Sequence, residues 1–113
     1  MHEYSLVQSL IELAEHQARD HGASRIDRLE VAIGELSGVE TELLARAYDT
    51  FRDRTLCSGA ELVIHPVAAR WACPGCGRTS DRGAALLCPD CDLPLRLEKG
   101  EEIVLERIEL EVA

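Results

Sequence analysis

Cys73-Pro74-Gly75-Cys76 and Cys88-Pro89-Asp90-Cys91, with eleven residues between the two pairs, decide how this chain must fold. Two residues between paired cysteines let the backbone curl until both thiolates reach one ion at about 2.3 Å, and two such pairs complete a tetrahedral S₄ shell. Pro74 and Pro89 stiffen the two turns. Gly75 and Gly77 let the backbone close around sulfur, where amides can donate to the thiolates. Cysteines in tight pairs, four of five in all, read as a metal site rather than as disulfides.

A closed S₄ shell has no position for water or substrate, so a structural metal is expected. Zinc is the expected ion; iron in a rubredoxin-like tetrathiolate is the alternative, separable by colour. A redox dithiol is disfavoured, because both pairs would do the same job. Cys57 stands alone and reads as a semi-buried thiol.

Outward from the cysteines the chain is periodic. Leu6, Leu10, Leu13, Ala14 and Ala18 recur at three and four residues, which predicts an amphipathic helix over 5–20, capped by Ser5 with Gln8 and stopped at Gly22. Leu29, Val31 and Ile33 alternate over 25–33 and predict a strand broken by Gly34. Ser37 with Glu40 repeats the capping-box signature and opens a second helix over 40–54, carrying Leu43, Leu44, Ala47, Tyr48 and Phe51. A strand over 61–65 ends at Pro66, and Ile103 to Val112 alternates again, with Ile108, Leu110 and Val112 opposite Arg107, Glu109 and Glu111.

A late strand after an irregular stretch most simply rejoins the first sheet. The fold class is therefore α+β: a small mixed three-stranded sheet with two helices, plus an inserted zinc-ribbon-like module. The expected division is 1–66 for the first part of the α+β domain, 67–100 for the module, and 101–113 for the returning strand. With 113 residues, about two-thirds of the unfolded surface is buried, so a metal staple matters to stability. Only four residues are Phe, Trp or Tyr, which makes the core aliphatic.

The formal charge is −9, and a divalent ion on four thiolates brings it to about −11. That surface repels phosphate backbones and anionic membranes and suits cations or basic partners. No stretch approaches the roughly 20 apolar residues of a membrane span. Met1-His2-Glu3-Tyr4-Ser5 lacks the basic and apolar regions of a signal peptide, so a cytoplasmic protein is expected.

The first three residues are chemically specific. The Met1 amine, the deprotonated His2 amide and the His2 imidazole form adjacent five- and six-membered chelate rings. Three nitrogens in a plane suit square-planar Ni²⁺ or Cu²⁺, and Glu3 can add a fourth donor. A second-position histidine is otherwise a solvated terminal residue. His16, His21 and His65 read as surface or structural residues, and the sequence has no Ser/His/Asp set, Walker loop or dinucleotide fingerprint.

Met1-His2-Glu3-Tyr4-Ser5-Leu6, Ile33-Gly34-Glu35-Leu36-Ser37-Gly38-Val39 and the two cysteine pairs, taken together, resemble the HypA/HybF family of nickel metallochaperones for [NiFe]-hydrogenase maturation. The resemblance runs the length of the chain. It implies that His2 binds nickel with Glu3 contributing, and that Cys73, Cys76, Cys88 and Cys91 hold a structural zinc. In some members an acidic residue just beyond the Gly-Glu-x-Ser turn completes the nickel shell. Here that position is Glu40, whose expected role is instead to cap with Ser37. The resemblance also implies docking to the GTPase of the maturation pathway and to the hydrogenase large-subunit precursor. A monomer or weak homodimer that is not an enzyme is expected. The alternative is a zinc-ribbon interaction module without metal transfer.

Overall fold

The computed structural model describes residues 2–80 and 87–112. Its elements follow in the order α1 (His2–Asp20), β1 (Ala23–Gly34), α2 (Thr41–Phe51), β2 (Glu61–Val67), β3 (Arg70–Ala72), β4 (Thr79–Ser80), β5 (Arg96–Lys99) and β6 (Ile103–Val112). They form two sheets of three strands, ordered β2-β1-β6 and β4-β3-β5. The chain divides into one compact unit of residues 1–32, 39–65 and 104–113, and a second of 33–38 and 66–103.

In the first unit, α1 begins three residues earlier than its expected start at Ser5. Glu3 lies in the first turn, where a carboxylate complements the exposed amides of a helix N-terminus, so Ser5 and Gln8 fall inside the helix instead of capping it. The buried face is Val7, Leu10, Ile11, Ala14 and Ala18, rotated from the expected one, and Leu13 is 47% exposed. The end is as the sequence indicates: Gly22 takes φ 66°, and its N–H donates to the Arg19 carbonyl. α2 starts at Thr41 with Glu40 as N-cap and no side-chain cap, so Ser37 does not open it.

Ile26, Leu29 and Val31 of β1 join Leu44, Ala47 and Tyr48 of α2 among the buried residues. The Tyr48 hydroxyl donates to the Ala60 carbonyl at 2.9 Å, which satisfies the one polar atom this ring takes inside. Cys57 is fully buried rather than half so, and burial pushes its thiol up to about 11. Strand direction follows from the cross-links. Arg28 meets Glu61 and Glu30 meets His65, and the Glu35 amide meets the Val67 carbonyl, so β1 and β2 are parallel, joined through α2. Ser24 reaches the Glu111 carbonyl while Gly34 reaches that of Glu102, so β6 is antiparallel to β1. The sheet is mixed. Pro66 does not end β2 but lies within it, as an edge strand permits when the missing N–H faces outward.

In the second unit, the stretch without periodicity holds three short strands. Trp71 and Ala72 of β3 pair with Ser80 and Thr79 on one side and with Leu97 and Arg96 on the other. The turn after β1 is tied in as well. The Glu35 carboxylate accepts the Ala69 N–H at 2.8 Å, and the Leu36 N–H donates to the Gly100 carbonyl at 2.7 Å. Gly34 is required here, because a Cβ would lie 2.3 Å from the Gly100 carbonyl carbon.

Candidate metal centre

Each cysteine pair is built on the same backbone device. In the first, the Cys73 N–H donates to the Arg78 carbonyl at 2.8 Å, and the Gly77 N–H donates to the Cys73 carbonyl at 2.9 Å. In the second, the Cys88 N–H donates to the Leu93 carbonyl, and the Asp92 N–H to the Cys88 carbonyl, both at 2.8 Å. The residue after the second cysteine is left-handed in both turns, Gly77 at φ 76° and Asp92 at φ 54°. Aspartate is among the few residues that tolerate this conformation, which is why the two turns need not both carry glycine.

The four sulfurs lie within 4.8 Å of one another, and Cys76 Sγ is 3.7 Å from Cys88 Sγ. Sulfurs at 2.3 Å from a central ion in a tetrahedron stand about 3.8 Å apart, so the donor set fits a tetrathiolate metal. Cys73 and Cys88 are 2% and 1% exposed, whereas Cys76 faces solvent and Cys91 is half-buried. Amide donation from Cys76, then Gly75, draws the Cys73 thiol down to about 7 against the opposing cost of burial. The neighbouring sulfurs of Cys76 and Cys73 push the Cys91 thiol up to about 12. A cluster that forms its first thiolate readily and resists its last is one that a divalent cation completes. Gly75 fits tightly: a Cβ there would meet Leu93 Cδ1 at 2.8 Å.

Among the described residues no other set of three or more His, Cys, Asp or Glu side chains converges on one point. The structure does not gather the remaining candidates in that way. His2 is the exposed first residue of α1. Its N–H is one of the first four of the helix, which have no intrahelical acceptor. The Met1 amine lies outside the described residues. Glu3 is only 7% exposed, and its Oε2 accepts the Glu40 N–H at 3.3 Å. Its own amide and then that of Glu40 hold its carboxyl below the usual value of 4.5. Glu3 thus joins the N-terminus of α1 to that of α2, a role that no local motif reveals, since the acceptor and donor are 37 residues apart. Beside it a surface hollow of about 350 Å³ is lined by Val39, Glu40, Thr41 and Glu42. The other histidines are engaged elsewhere: His65 Nε2 is 2.7 Å from Glu30, His21 Nδ1–H donates to the Gln17 carbonyl, and His16 lies 3.5 Å from Asp20.

Residues 1–110 match a family model described as hydrogenase/urease nickel incorporation, metallochaperone, HypA. The hydrogenase maturation factor HypA of Aquifex aeolicus is 40% identical, over 99% of this chain and 99% of its own. That of Shewanella halifaxensis is 39% identical over the whole of both chains. The solution structure of the Ni metallochaperone HypA from Helicobacter pylori superposes with a TM-score of 0.72 at 32% identity, covering 98% of each chain. A second HypA solution structure reaches 0.80 at the same identity, over 100% of this chain and 98% of its own. By this full-length likeness the chain belongs to the HypA family of nickel-incorporation metallochaperones.

Proposed function

We propose that this protein carries Ni²⁺ on its N-terminus and hands it on during [NiFe]-hydrogenase maturation, while Cys73, Cys76, Cys88 and Cys91 hold a resident structural zinc. The observation that carries the cargo assignment is the placement of His2: exposed, at the open end of α1, with an amide that owes no hydrogen bond to the helix. Delivery requires a site that exchanges ligands, and a terminal chelate meets that demand better than a closed S₄ shell. The family's GTPase and the hydrogenase large-subunit precursor are the proposed recipients, in the cytoplasm. No helix among the described residues is long and apolar enough to cross a membrane, which fits that setting.

Two measurements test the reading. Nickel loading displaces protons from the amine, the amide and the imidazole, so bound nickel is expected to fall away as the pH drops through about 6 while zinc stays. The Glu3 carboxyl, held below 4.5, is still ionised there, so the loss reports the nitrogen ligands and not the opening of the Glu3 contact. A nickel affinity unchanged between about pH 7.5 and 5.5 rules the nitrogen chelate out.

The second concerns Glu3 itself. If its carboxylate serves to hold the Glu40 amide, Glu3→Gln keeps an acceptor oxygen in place and retains most of the nickel affinity, whereas Glu3→Ala loses about five- to tenfold. Equal losses in the two variants, measured by calorimetry, would show that the carboxylate is a nickel ligand instead.

A further inference from the structure

β6 is an edge strand of ten residues with nothing paired to its outer side among the described residues. Natural edges are blunted with proline, lysine, bulges or brevity. The opposite edge, β2, follows that practice: it is seven residues long and contains Pro66. β6, reading Ile-Val-Leu-Glu-Arg-Ile-Glu-Leu-Glu-Val, contains no proline, glycine or lysine. Beside it runs a groove of about 520 Å³, walled by Leu105, Ile108 and Leu110 of β6 and by Leu13, Gln17 and His21 of α1. Leu13, on the far wall, is an apolar side chain left 47% exposed at a helix position that the core does not use.

Charge selects the occupant. Glu109 is engaged by Arg28 and Arg107, and Glu111 by Arg25. Glu106, which also lines the groove, has no ion pair among the described residues. The strand's one cation, Arg107, already lies near Glu30 and Glu109. A second copy would bring another glutamate-rich strand and another net charge of −9 to the same edge. We infer that β6 and the adjoining α1 groove form a docking edge for an extended basic segment of a partner protein, which adds as a fourth strand with its apolar side chains set into the groove. The backbone of the incoming strand satisfies the free edge, alternate apolar residues meet Leu13, Ile108 and Leu110, and its cations meet Glu106.

The test uses the full, zinc-loaded, ¹⁵N-labelled chain titrated with three decapeptides: alternating Lys and Val, alternating Glu and Val, and a Lys-Pro alternation of the first peptide's charge that cannot pair as a strand. Only the Lys-Val peptide is expected to shift the amides of 103–112 saturably, at concentrations up to about 1 mM, and to slow their exchange. Glu106→Lys is expected to weaken that binding about tenfold, as is Leu13→Ser, an exposed change that leaves the core alone. Equal binding of the Lys-Pro peptide, or shifts spread over the acidic surface, would reduce the effect to charge alone and overturn the proposal. So would β6 shifts that grow with protein concentration in the absence of peptide, alongside a dimer in sedimentation, because the occupant would then be a second copy.

Discussion

His2→Ala leaves the zinc content and the circular dichroism of the protein unchanged and removes most of its nickel affinity: that is the first expected result. His2 is exposed, and none of the buried core residues depends on it, so its loss costs the fold little. Its imidazole closes the six-membered ring of the proposed chelate. Removing a group that merely orients a ligand typically weakens metal binding roughly 10–100-fold, so removing a ligand is expected to cost at least about 100-fold. A variant that binds nickel as the native chain does would leave the N-terminal assignment without support. A variant that loses zinc as well would show that His2 matters to the fold and not to the cargo.

The second large effect is expected from removing the resident metal. Among the described residues between Pro66 and Ile103, the buried apolar ones are Ala69, Cys73 and Cys88, that is one methyl group and two of the four cysteines. Those residues alone give the segment little buried apolar surface to offset its conformational entropy. Structural zinc contributes about 10–16 kcal/mol in zinc-finger peptides at neutral pH, and that free energy is folding free energy. Chelation, or Cys88→Ser, is therefore expected to collapse amide protection over β3, β4 and β5 in hydrogen exchange. The aliphatic core of the other unit, from Val7 through Leu29 to Tyr48, supports α1, α2 and β1 without a metal, and their protection is expected to persist. Retained protection in β3–β5 after complete zinc removal would contradict the structural role given to the cysteines.

The metal centre was legible in the sequence because all its determinants are local: the Cys-x-x-Cys spacing sets the turn, and the turn sets the sulfurs. The same holds for the Gly22 helix stop and for the alternation of β6. What escaped was settled at long range. Leu13 obeys the helical period as well as Ile11 does, and only the position of the sheet decides that Ile11 is buried and Leu13 is not. Pro66 reads as a strand end until β2 proves to be an edge. Ser37 and Glu40 have capping-box spacing, but Glu3, distant in sequence, takes the Glu40 amide. The short strands β3, β4 and β5 carry no period that two to four residues could display. In the sequence Glu3 reads as a nickel donor; the structure adds its bond to Glu40, a separate role that the Gln and Ala variants distinguish.

On the proposed function, cargo nickel sits on the N-terminus and not on the cysteines. Its most direct test is a calorimetric nickel titration of the zinc-loaded chain starting at Met1 against the same chain carrying a Gly-Ser tag of about ten residues before Met1. The tag keeps His2, Glu3 and all four cysteines but carries the terminal amine many residues away, so it no longer closes a ring with the His2 amide and imidazole. One nickel per untagged chain is expected, with a loss of at least about tenfold in affinity for the tagged one and zinc unchanged in both. Identical nickel binding by the two chains would contradict it.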